Sequence, residues 1–229
     1  PYSVSICISH RKDSTDLLFK KVKFYIDSYC ARMNIDPKEF LKTDNKNLIE
    51  SATNNAMFYI GTAGAKVGGR GGSARNILFS ETAYFQDTDL VTAKEIVVGT
   101  AQQVPQGRGM IFMESTANGE GNYYHQEWER ANLPPDRYGK KPSAYNPRFF
   151  GWQEFYTKEW IEKKKSEFAS DAEFKEEYPA TSEEAFITSG SPYFDIEVLQ
   201  KMLKESEEKI SKKEYPVQQG KIAPDGSWF

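Results

Sequence analysis

Cysteine and histidine are scarce in this chain, two of each in 229 residues, which argues against a disulfide-stapled scaffold and against metal centres built on soft ligands. Cys7 sits in an apolar run and Cys30 on a predicted helix, so both read as reduced core thiols of a cytosolic protein. His10 and His125 have no cysteine, histidine or acid neighbours at metal-ligand spacing. Charge of one sign is also missing. A formal net charge of −3 gives no global basic field, so any nucleic-acid contact needs a local patch. No apolar stretch approaches the roughly 20 residues of a membrane span, and no charged-then-apolar segment opens the chain as a leader would. The expectation is a soluble protein with no membrane partner.

What is present fits an ordinary globular domain, with 38% hydrophobic and 28% charged residues in a chain long enough to bury a sizeable core. Both ends are abrupt. A strand pattern is under way by residue 2 and the chain stops on Trp228 and Phe229, so a piece of a longer protein is expected.

Val4, Ile6 and Ile8 alternate with serines in a first predicted strand, and residues 13–33 follow with Leu18, Val22, Ile26 and Tyr29 at helical spacing. A second apolar run at 57–61 leads into the glycine-rich stretch 61–76, whose glycines cost too much backbone entropy for regular structure and predict a flexible loop. Residues 76–81 predict a third strand, 88–104 a helix, and 109–119 a fourth strand running into a turn. Strands alternating with helices imply an α/β domain with a mainly parallel sheet. Beyond about residue 130 a proline-marked loop precedes a charged helical stretch at 151–179, whose lysine run 163–165 reads as a solvated helix face. Thr181 and Glu184 have capping-box spacing, which a turn would equally explain, and 195–214 predicts a last amphipathic helix.

In open parallel sheets ligands gather outside the carboxyl ends of the strands. Two polar sets stand there, Ser80-Glu81 after "NILF" and Glu114-Ser115-Thr116 after "MIFM", and they meet at one edge if the two strands are neighbours. A carboxylate at Glu81 could orient the attacking water of a phosphoryl transfer, although a strand-end acid exposed to water explains it as well. Arg70, in "GGRGG", is a guanidinium on a glycine-rich arm that could reach an anion, or a solvated loop residue. The Ser115 and Thr116 hydroxyls and the Asn118 amide could sense a phosphate, or could close a turn on themselves.

In this order, the stretches resemble the large subunit of a tailed-phage terminase, a DNA-packaging motor. Residues 68–85 resemble the family's arginine-bearing loop and Walker B strand, 110–128 its coupling motif, and 176–195 the segment that closes its ATPase region. The resemblance implies a P-loop-NTPase-like α/β fold with its first strand and phosphate loop missing, a helical lid or linker subdomain, and boundaries of 1–130, 131–214 and 215–229 for core, lid and linker. It implies Glu81 as catalytic carboxylate, Arg70 as an arginine finger acting on a neighbouring subunit's nucleotide, Ser80 near the cofactor, and Ser115, Thr116 and Asn118 as the coupling motif. Its implied cofactors are ATP and magnesium. Implied partners are double-stranded DNA, a homo-oligomeric ring, the portal protein and the terminase small subunit, in the host cytoplasm. Two departures stand out. Ser80 occupies a place where the family more usually has an acid, and no GxxxxGK[ST] sequence occurs, since "GTAGAKVGG" lacks the ending and follows the wrong strand. Little ATP hydrolysis is therefore expected of these residues alone. A helicase-like ATPase and a non-catalytic α/β binding module remain as alternatives.

Overall fold

A computed structural model describes residues 3–64, 73–188 and 196–211. The chain divides into two compact units, Pro1–Ser189 and Gly190–Phe229. In the first, strand β1 (Val4–Ser9) leads into helix α1 (Lys12–Met33) and the short α2 (Pro37–Phe40), followed by β2 (Leu41–Asp44), β3 (Leu48–Ser51) and β4 (Met57–Thr62). Then come β5 (Asn76–Ser80), a 3-10 turn (Thr82–Tyr84), α3 (Ala93–Ala101), β6 (Met110–Glu114), α4 (Tyr123–Asn132), α5 (Lys158–Lys165), α6 (Asp171–Glu177) and α7 (Ser182–Thr188). The second unit contributes α8 (Ile196–Ser211), which exposes Met202 and Leu203.

The strands form one six-stranded sheet in the order β2-β3-β4-β1-β5-β6. The β4-β1-β5-β6 portion is parallel, and β2 and β3 join it antiparallel beside β4. Period-two alternation decides which face each side chain meets. Cys7, Ile60 and Ile49 pack with Phe19, Val22 and Ile26 of α1 on one face. Ile6, Ile8, Ile77 and Phe79 pack with Ile96 and Val97 of α3 on the other. The two crossovers that carry α1 and α3 run in opposite directions along the sheet, β1 to β4 one way and β5 to β6 the other, so right-handed connection puts their helices on opposite faces.

The predicted α/β class and mainly parallel sheet are those observed, and several local expectations change. The β2-β3 hairpin was not foreseen, because its strands are four residues each and carry charge; Asn45 closes it, its Oδ1 accepting from the backbone N–H of Asn47 at 3.0 Å and of Leu48 at 2.9 Å. The helix expected over 88–104 begins only at Ala93, because Thr88 and Asp87 form a turn ahead of it and Thr92 with Glu95 makes a complete capping box. Thr92→Ala is expected to cost about 1 kcal/mol in urea unfolding, with no change in the slope. The stretch 151–179 is three short helical pieces rather than one, each of α5 and α6 started by its own cap, Thr157 and Ser170. At α7 the spacing does mark a helix start, with Glu184 N–H donating to Thr181 Oγ1 at 3.2 Å.

β6 is an edge strand. Its Met110 and Phe112 are 57% and 54% exposed, while Ile111 and Met113 face the α3 side.

Candidate functional site

Each parallel strand stops being apolar at the same level. Register pairing links Thr62 to Ser9, Ser9 to Ser80 and Ser80 to Glu114, so four polar residues end four adjacent strands in one row. The two sets singled out from the sequence therefore do meet, because β5 and β6 are parallel neighbours.

Glu81 follows the row in the left-handed region, at φ 57° and ψ 48°, and caps the 3-10 turn. For a glutamate this costs on the order of 1–2 kcal/mol. Its carboxylate offsets part of that through three hydrogen bonds: Oε2 accepts from Ser115 Oγ at 3.2 Å, from the Thr116 backbone N–H at 3.3 Å and from Thr116 Oγ1 at 3.3 Å. Ser115 Oγ in turn accepts from the Ala83 N–H at 3.1 Å, and Asn118 Nδ2 donates to the Ala83 carbonyl at 3.1 Å. The segment after β6 thus clasps both the acid and the turn that carries it. Thr116 has one hydroxyl proton and two acceptors in reach, since Tyr84 Oη stands 3.4 Å away and itself donates to the Ala117 carbonyl.

Glu81, Ser80, Ser115, Thr116 and Asn118 are thus in one place, and Arg70 lies outside the described residues. Two contributors carried no assigned role in the sequence. Tyr84 had no signal there; Glu114 did, as the first polar residue after "MIFM". Ser80 is the register partner of Glu114, which brings its hydroxyl, with the following Glu81 N–H, toward that carboxylate. Glu114 keeps a solvent-exposed side, yet partial burial pushes its pKa up and the charge of Glu81 adds to that, against the opposing influence of Ser80 and the Glu81 N–H. The effect reaches its surroundings. Cys7 is pushed up to about 12, first by burial and then by Glu114, and Tyr124 is raised first by burial and then by Glu114.

A carboxyl group held above its unfolded pKa favours folding when protonated, and that contribution fades as pH rises from the unfolded value through the folded one. Glu114→Gln should accordingly melt close to the parent chain at pH 3 and above it at pH 8. Thermal melts at both pH values check the sign.

All donors at the site are hard oxygens, which suit magnesium rather than a soft metal. Among the described residues no group of three or more His, Cys, Asp or Glu could hold a metal ion. Two carboxylates with hydroxyls nevertheless fit magnesium's habit of keeping water and phosphate oxygens in most of its positions. Beside the turn, an open cleft of about 500 Å³ is walled by Tyr84, Asp87, Lys94, Asn118 and Gln126.

Fold and site together define an α/β domain with an acid at the carboxyl end of a central parallel strand, gripped by a hydroxyl motif from the next strand. Among solved structures the chain is similar to the ATPase domain of the large terminase of Thermus phage P74-26, at 16% identity over 81% of this chain and 77% of that one, with a TM-score of 0.48. A mutant of the same domain is similar at 14% identity over 78% and 76%, with a TM-score of 0.46. No family model and no curated protein matches the chain.

Proposed function

We propose that this chain is the ATPase motor portion of a terminase large subunit, which couples ATP hydrolysis to movement of double-stranded viral DNA into a procapsid in the host cytoplasm. The observation that carries the reading is the grip of Ser115 and Thr116 on Glu81. It supports a coupling role because the same hydroxyls that hold the acid are the groups a γ-phosphate would recruit.

In this mechanism Glu81 orients water for attack on the γ-phosphorus and takes up its proton, while the bond to the ADP oxygen breaks. Magnesium, held in part by Glu81 and the neighbouring acid, would neutralise the charge developing on the phosphates. When a phosphate draws the Thr116 hydroxyl away, Glu81 is freed toward water. After phosphate leaves, the clasp closes again on the turn Thr82–Tyr84, and that alternation is the mechanical step. Arg70 completes a neighbouring subunit's site within a homo-oligomeric ring docked on the portal protein and supplied with DNA by the small subunit. The phosphate-cradling loop comes from outside these residues, which contain no GxxxxGK[ST] sequence.

The test is ATP-driven packaging by the intact large subunit with procapsids and linear DNA, read as DNA protected from nuclease. Protection lost in both Arg70→Ala and Glu81→Gln supports the reading; protection retained in both overturns it.

A further inference from the structure

The strand end before Glu81 carries a hydroxyl where the terminase pattern has an acid, and the adjacent strand places a carboxylate beside that hydroxyl. Ser80 and Glu114 are register partners, so alternation puts their side chains on the same face of the sheet. The Ser80 hydroxyl and the Glu81 N–H lie on the side of Glu114 that faces the end of the neighbouring strand. Neither Glu81 nor Glu114 has an ion-pair partner among the described residues. Two neighbouring carboxylates without a basic partner leave a negative spot that a cation relieves.

A second observation comes from the next strand over. Ser9 is the register partner of Ser80 on the same face, it is 0% exposed, and its Oγ has no hydrogen-bond partner among the described residues. A buried hydroxyl left unpaired is destabilising, because it has given up water without a replacement. Standing in the polar row beside Ser80, it is a spare partner for an oxygen-rich occupant such as a cation with its water shell.

We propose that Glu114 supplies the carboxylate that Ser80 lacks, so that Glu81 and Glu114 together face a hydrated magnesium ion and Ser80 acts as a positioning residue for Glu114. The acid is moved one strand across, and the site keeps two carboxylates. This rests on the function proposed above and names the metal-facing residue of that same site. Glu81 lies one residue beyond the row and is gripped from the β6 side, so the two acids approach the cation from adjacent strand ends.

Manganese serves as a paramagnetic probe for magnesium in nucleotide-free solutions of the 229-residue chain, followed by amide NMR. Signals of Glu81 and of residues 114–116 should broaden first. Glu114→Gln should weaken manganese binding at least about tenfold, Ser80→Ala should weaken it less, and Ser80→Asp in the Glu114→Gln background should restore most of it. Unchanged affinity in Glu114→Gln, or first broadening at Asp13 and Asp16 on α1, overturns the proposal. If the Ser80→Asp protein does not fold, the wild-type broadening pattern and Glu114→Gln decide. No nucleotide is present, so this readout is separate from ATP turnover. Turnover lost in Glu81→Gln with manganese binding unchanged in Glu114→Gln keeps the motor and removes this site, and the converse pattern does the reverse.

Discussion

In the motor proposed above, Glu81→Gln is expected to lower ATP turnover by about 10²- to 10⁴-fold, the range a positioned general base contributes. Glutamine keeps the length of the side chain and meets the same left-handed backbone at φ 57°, so the fold should survive. The amide oxygen can still accept from Ser115 and Thr116, and the clasp at 3.2–3.3 Å should persist. What disappears is the negative charge and the ability to take a proton. The variant should therefore bind nucleotide nearly as well as the parent and fail at the chemical step, a fall in kcat with little change in KM. Steady-state phosphate release beside a fluorescent-nucleotide titration separates the two. Turnover within a few-fold of the parent would return Glu81 to the status of a solvated strand-end acid.

The largest stability effect should come one residue before the row. Phe79 is 0% exposed and packs among Ile6, Ile8, Ile77 and Val97 on the α3 face. Phe79→Ala removes the ring from a site that rigid strands on either side cannot collapse around, and the expected cost is about 3–5 kcal/mol. For a unit of this size that corresponds to a fall in Tm of about 6–20 °C. Urea unfolding with an unchanged slope, and a midpoint lowered in proportion, checks it. The same variant should disturb the site, because Phe79 anchors the strand whose next two residues are Ser80 and Glu81. A loss below about 1 kcal/mol would mean that β5 is not the central support described above.

Much of this arrangement was legible in the residues. The parallel strands announced themselves as short apolar runs, and the rule that ligands gather at their carboxyl ends selected Ser80-Glu81 and Glu114-Ser115-Thr116. Whether those two sets met depended on β5 and β6 being neighbours, and strand order is a long-range property that no local pattern contains. The backbone of Glu81 was hidden for a different reason. Glutamate seldom adopts the left-handed region, and only the clasp from the next strand makes it tenable here. Ser80 looked like a lost acid because the chain was read along its length. Across the sheet the acid stands opposite, and register rather than sequence distance brings it there. The β2-β3 hairpin and the breaks within 151–179 were missed because capping side chains, Asn45, Thr157 and Ser170, overrode weak periodicity.

The open edge of β6 has a geometric consequence for the acid. Among the described residues no strand pairs with its outer side, and Met110 and Phe112 stay more than half exposed on the face opposite Ile111 and Met113. Such an edge is a template. A strand laid against it in parallel would finish its run beside Glu114 and the Ser115-Thr116 segment that grips Glu81. An antiparallel visitor would instead bring its amino end there. The direction in which that edge is occupied therefore decides whether a loop or a strand start stands beside Glu114 and the segment that grips Glu81.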